Sequence, residues 1–156
     1  MYNLSNLFME IKDKKNEEAL KILDEAGVDA ADNFRRTALM NAALYNNVEL
    51  VKALIERKAN LNLQDKIGYT ALHFAAQEAY PEVVKLLLEN GADPNLVDKH
   101  GNTASWVAYM NWKAGQNKET IQLMVEHKAD FHIKNAAGRS LMDIMFDGLK
   151  QELQLS

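Results

Sequence analysis

Three short strings, Arg36-Thr37-Ala38-Leu39, Tyr69-Thr70-Ala71-Leu72 and Asn102-Thr103-Ala104-Ser105, place Thr37, Thr70 and Thr103 at intervals of 33 residues. A fixed interval of that length means that one supersecondary unit is stacked several times, each copy burying its apolar face on the next. Such a chain offers long surfaces rather than one enclosed pocket. The period therefore points to gripping a partner and away from catalysis.

The unit is clearest from Asp65 to Val97. It opens with Asp65-Lys66-Ile67-Gly68, where Asp at the first and Gly at the fourth position mark a β-turn. Thr70 stands where a helix N-cap is needed, its hydroxyl able to accept from an orphan backbone N–H. A short helix follows with Leu72, Phe74, Ala75 and Ala76 as its apolar residues. Pro81 suits the first turn of a second helix, where a missing N–H costs nothing. Val83, Val84, Leu86, Leu87 and Leu88 form the buried side of that helix, and Glu82, Lys85 and Glu89 face water. Asn90-Gly91 stops it, and Asp98-Lys99-His100-Gly101 opens the next turn.

The same template runs through 32–64, 65–97 and 98–134 as full units, and 135–156 begins a last one with Ser140 as its cap. In that last unit Leu141, Met142, Ile144, Met145 and Phe146 are expected on one helix. Residues 1–31 read as a capping pair of helices: Leu4, Leu7, Phe8 and Ile11 form a stripe at helical spacing, and Leu20 to Asp29 parallels Val84 to Asp93. The expected organisation is a single repeat domain over 1–156, all-α, of stacked antiparallel helix pairs with β-turn fingers.

Composition removes several functions. Charged residues are 26% of the chain, with 22 acids against 18 bases and a formal net charge of −4, the wrong sign for a nucleic-acid binder. There is no cysteine, so thiolate chemistry, disulfides and cysteine-ligated zinc are excluded. The start lacks the pattern of a signal peptide, and no apolar run has the length of a membrane span. The chain is read as a cytoplasmic monomer.

These residues together resemble the ankyrin repeat family. The resemblance rests on the 33-residue period, the Asp-x-x-Gly-x-Thr opening, Thr70-Ala71-Leu72-His73, and the Leu86 to Asn95 run Leu-Leu-Leu-Glu-Asn-Gly-Ala-Asp-Pro-Asn. It covers essentially the whole chain as about four and a half repeats. The resemblance implies a curved stack whose turn fingers project at one edge and whose first helices line a concave face that binds other proteins. It also implies that His73 makes structural hydrogen bonds. Stand-alone bacterial members of the family include immunity proteins that neutralise secreted toxins, a role compatible with this chain.

The departures from the pattern carry expectations of their own. The segment from Asp29 to Thr37 is two residues shorter than that from Asp93 to Thr103, and Arg35 stands where the turn would place Gly, so the first finger should differ in shape. In the third unit Ser105 replaces the buried Leu and Trp106 the motif His. An unfilled Leu-sized hole would cost roughly 2–5 kcal/mol, so Trp106 or a neighbour should repack it. Four extra residues fall within 110–117, expected to lengthen the first helix or the loop after it.

Two surfaces stand out. The finger tips and flanks carry Phe34, Arg36, Lys66, Ile67, Tyr69, Lys99, His100, Asn102 and Arg139, with Arg35 and Lys134 adding charge. Aromatic and basic side chains on one exposed edge suit an interface and would speed encounter with an acidic partner. Solvated turns are the plainer reading of the same residues. The inner face of the first helices carries Tyr45, Gln77, Glu78, Met110 and Trp112, for which plain burial is the alternative. His127 and His132 lack a third ligand, and no nucleophile–base arrangement or phosphate loop is present. The expected function is a non-catalytic protein-binding module without cofactor or metal, acting on another protein with an acidic surface as inhibitor, neutraliser or adaptor. Self-assembly through the end repeats is the alternative, and an enzyme with an unrecognised site the remote one.

Overall fold

The structure is a computed structural model that describes residues 4–112 and 117–156. Among the described residues the chain forms ten helices: α1 (Leu4–Lys12), α2 (Asn16–Ala26), α3 (Ala38–Leu44), α4 (Val48–Glu56), α5 (Ala71–Gln77), α6 (Pro81–Glu89), α7 (Ala104–Met110), α8 (Lys118–Glu126), α9 (Leu141–Ile144) and α10 (Asp147–Glu152). The first eight pair in sequence order, and α9 packs on α7. The first helices stack in one row, α3 on α5 on α7, and the second helices in another, α4 on α6 on α8. Between the rows lies one continuous core in which Leu39, Leu50, Leu54, Leu72, Val83, Leu87, Ile121 and Met124 are almost fully enclosed. Ala42, Ala43, Ala75, Ala76 and Ala108 are also buried, the small residues that let the first helices approach closely.

The caps explain where each first helix begins. Thr37, Thr70, Thr103 and Ser140 sit in extended backbone, and each hydroxyl accepts the N–H of the third helical residue. Pro81 occupies the first turn of α6 as its fixed φ requires. The first pair joins the stack through Asn47, whose amide donates to the Ile11 carbonyl at 3.1 Å and to Asn16 Oδ1 at 2.8 Å.

The first finger closes like the others, but among the described residues it alone adds a β-bridge, between Ala31 and Thr37. Its closing bonds, Asp32 N–H to Arg36 O (3.0 Å) and Arg35 N–H to Asp32 O (2.9 Å), match those at Asp65, Asp98 and Asn135. Arg35 adopts φ +60°, where the other fingers use Gly68, Gly101 and Gly138. The two-residue deletion is absorbed upstream. In later repeats Asn62 and Asn95 accept the N–H of Asp93 and Asp130 in the following repeat, both at 2.8 Å. In the first repeat Asp29 takes that role, accepting from Asn60 N–H at 2.9 Å.

The insertion lies in the loop between helices, since α7 has the same seven residues as α3 and α5 while the connection to α8 spans 111–117. Residues 113–116 of the insertion lie outside the described residues. Its ends are pinned by Asn117, whose amide donates to the carbonyls of Ala108 (2.6 Å) and Asn111 (3.0 Å).

The last unit also departs from expectation. Its first helix stops at Ile144, so Met145 and Phe146 are extended rather than helical, and α10 provides a short second helix. Met145 is buried while Phe146 is exposed. At the Ser105 position Trp106 is half-buried and packs against the core, but the Ser105 hydroxyl is enclosed and has no hydrogen-bond partner among the described residues.

Candidate functional site

Each finger is built by one side chain. Asp65 Oδ1 accepts the N–H groups of Ile67 (3.0 Å) and Tyr69 (2.9 Å). Asp32 does the same for Phe34 and Arg36, Asp98 for His100 and Asn102, and Asn135 for Ala137 and Arg139. Successive fingers are then joined by one backbone bond each: Lys66 N–H to Phe34 O (3.0 Å), Lys99 N–H to Ile67 O (2.9 Å) and Ala136 N–H to His100 O (2.8 Å). The turn carboxylates are thus turned inward, with Asp65 and Asp98 buried. What remains on the edge is basic: Arg35, Lys66, Lys99, Lys134 and Arg139 are exposed. Phe34, 64% exposed, and Ile67, 37% exposed, stand among them. His100 is exposed in the same row.

Three of the expected edge residues have structural partners instead. Arg36 Nε lies 3.5 Å from Asp65 Oδ2, and its guanidinium sits 5.3 Å above the Phe74 ring, so its charge ties the first finger to the second repeat. Tyr69 is half-buried, stacked on His73 at 5.0 Å and edge-on to Phe74 at 5.2 Å. Burial pushes its hydroxyl above the usual pKa, with Asp98 and Asp65 adding to the effect. Asn102 offers its carbonyl to His73 Nε2 at 3.1 Å and its Oδ1 to Asn135 at 3.1 Å.

His73 follows the expectation drawn from the family pattern. It is 1% exposed, and its Nδ1 faces the Thr70 N–H at 3.2 Å and hydroxyl at 2.9 Å. The Thr70 amide can only donate and the Asn102 carbonyl can only accept, so the ring is neutral with its proton on Nε2. Burial lowers its pKa below 6.5, opposed in part by the bond to Asn102 and by Asp98 and Asp65. His127 Nδ1 is spent on the Leu123 carbonyl at 2.9 Å. No group of three metal-ligating side chains occurs among the described residues.

On the inner face, Met110 is 60% exposed, while Tyr45, Gln77, Glu78 and Trp112 are half-buried. The structure adds two residues that sequence reasoning left out. Tyr109, Trp112 and Phe146 form an aromatic cluster with ring centres 6.1–6.3 Å apart. Phe146 is 53% exposed, beside Tyr109 and Trp112. The sequence places Phe146 with Met142 and Met145 in the group that closes the stack, but its separation from buried Met145 depends on the break after Ile144.

The family model for ankyrin repeats (3 copies) matches residues 7–98. That span is more than half of the chain, and the protein belongs to the ankyrin repeat family. A comparison with curated proteins found no match. Ankyrin repeats are in general protein–protein interaction modules. Among the described residues no helix is long and apolar enough to cross a membrane.

Proposed function

We propose that this protein is a non-catalytic module that clasps one partner protein between its basic finger edge and the inner, concave face of its first helices. The observation that carries the reading is the inward engagement of the finger carboxylates, which leaves Lys66, Lys99 and Arg139 exposed beside Phe34 and Ile67. Apolar side chains at the centre of a contact, ringed by charge, supply the affinity, and the charges supply rate and orientation. The fitting partner presents an acidic surface with an apolar patch, and the protein acts on it as a monomer in the cytoplasm, as inhibitor, neutraliser or adaptor. A bacterial toxin-neutralising immunity protein is one such role. Neither nucleic acid nor membrane is the target, and no reaction is catalysed. Phe34, Lys66, Ile67, Lys99, His100 and Arg139 carry the edge contact, with Tyr45, Met110 and Trp112 on the inner face.

The test begins with affinity purification from the native host and mass spectrometry. The partner so captured is then titrated against wild type and a Lys66→Glu/Lys99→Glu/Arg139→Glu variant. A loss of at least about tenfold in affinity, with a flatter salt dependence, supports the surface. Unchanged affinity and salt dependence reject it.

A further inference from the structure

Tyr45, Glu78 and Asn111 cap the C-termini of α3, α5 and α7 with near-identical backbone: φ −98°, −88° and −95°, ψ 12°, −1° and 24°. Because α5 packs between α3 and α7, these three residues form one row across the stack. Leu44, Gln77 and Met110 form the row beside it by the same equivalence. Among these six residues Glu78 is the only charged one; the equivalent turn of α1, which packs on α3, carries Lys12 and Asp13. Glu78 sits at the centre of a face whose neighbouring edge is basic.

The carboxylate is held rather than loose. Gln77 Nε2 donates to Glu78 Oε1 at 3.0 Å, and the Tyr69 hydroxyl donates to Gln77 Oε1 at 3.3 Å, which fixes the amide orientation. Glu78 is half-buried, and among the described residues no Lys, Arg or His forms an ion pair with it. A carboxylate held by one hydrogen bond and without a counter-charge is ready to accept a charge-assisted bond from an arriving cation. Tyr45 is the equivalent residue of the neighbouring repeat, whereas the Trp112 ring is engaged with Tyr109 and Phe146.

We propose that Glu78 receives a Lys or Arg side chain of the bound protein, while acidic groups of the same protein meet the fingers. This rests on the reading of the two surfaces above and sharpens it: the partner is charged in two patches of opposite sign, not uniformly acidic. The opposed signs fix the direction in which it lies across the stack, because a reversed pose sets cation on lysine and carboxylate on Glu78.

The probe is a random peptide library displayed on phage and selected in parallel on the full-length wild type, Glu78→Gln, Glu78→Asp and Lys66→Glu/Lys99→Glu. Peptides selected by wild type are expected to be enriched in Lys or Arg as well as in Asp or Glu. The Glu78→Gln protein should lose the basic enrichment and bind the wild-type peptides on the order of tenfold more weakly. The Glu78→Asp protein should keep the enrichment, which separates lost charge from lost folding. A wild-type selection without basic enrichment, or one that Glu78→Gln leaves intact, overturns the proposal. The finger variant reads the other surface on its own: if it alone loses acidic enrichment while Glu78→Gln changes nothing, the edge stands and the cation seat falls.

Discussion

At the residue scale the positive-φ positions are informative. Arg35 at φ +60° performs a task that Gly68 performs at φ +86°. A side chain in that region is strained by about 1 kcal/mol, partly offset by the extra freedom Gly brings to the unfolded chain. Arg35→Gly should therefore raise stability by no more than about 0.6 kcal/mol in urea denaturation. The reverse change at the second finger is not equivalent. A Cβ on Gly68 would lie 2.8 Å from Asp98 Cα in the next finger. Gly68→Ala is expected to cost more than about 2 kcal/mol in the same measurement, since backbone must move as well.

His73 supplies the second residue-scale expectation. The folded state holds it neutral, with its pKa pushed below 6.5 chiefly by burial. The unfolded chain binds the proton near the ordinary value, so between the two pKa values the unfolded state carries more protons. The contribution to stability is complete above about pH 6.5 and is lost as pH falls below it. Urea midpoints measured from pH 7.5 down to pH 5 should fall for the wild type and fall less steeply for His73→Gln.

At the element scale the last unit shows how one hydroxyl shapes two helices. Tyr109 donates to the Ile144 carbonyl and accepts the Phe146 N–H, both at 3.3 Å. These groups flank the break between α9 and α10, where no helical partner is available to them. Lys118 and Glu152 add an ion pair between α8 and α10. Tyr109→Phe keeps the ring packing but removes both bonds. It should cost about 1 kcal/mol, with faster amide exchange confined to α9 and α10. Exchange that stays at wild-type rates there would show that packing of Met145, Leu149 and Leu153 suffices to hold the cap.

For the molecule as a whole, repeat stability is a sum of unit and neighbour terms, and the terms here are unequal. In the third unit Ser105 and Thr120 occupy places held by Leu39 and Leu72, and by Leu50 and Val83, in the first two. Both are fully enclosed and, among the described residues, both hydroxyls lack a partner. An unpaired buried hydroxyl costs about 1–3 kcal/mol. Amides of α7 and α8 should therefore exchange through an opening smaller than the one that frees α3 to α6. Ser105→Ala with Thr120→Val should slow that exchange by removing the unpaired groups. Uniform protection across all the repeats would count against the unequal stack.

Much of this architecture was legible in the chain. The 33-residue spacing of Thr37, Thr70 and Thr103, the Asp and Gly of each turn and Pro81 report local requirements: a cap acceptor, a turn acceptor, a tolerated φ, a missing N–H. Local requirements leave local residue signatures, so helix starts and finger closures followed from sequence. Exposure at the tips followed too, because turns repeat in register.

What only the tertiary structure decided involves partners distant in the chain. Arg36 and Asn102 read as free edge groups until Asp65, Phe74, His73 and Asn135 appeared beside them. In the shortened first repeat Asp29 takes the bond that Asn62 and Asn95 make elsewhere, and Ala31 bridges to Thr37. Phe146 reached the surface because Tyr109, 37 residues earlier, holds the backbone at the break. The sequence by itself determined the stack and its period, since those depend on residues within one unit. Which side chains are spent between units, and which are left over to meet a partner, depends on side chains roughly a repeat apart meeting in space.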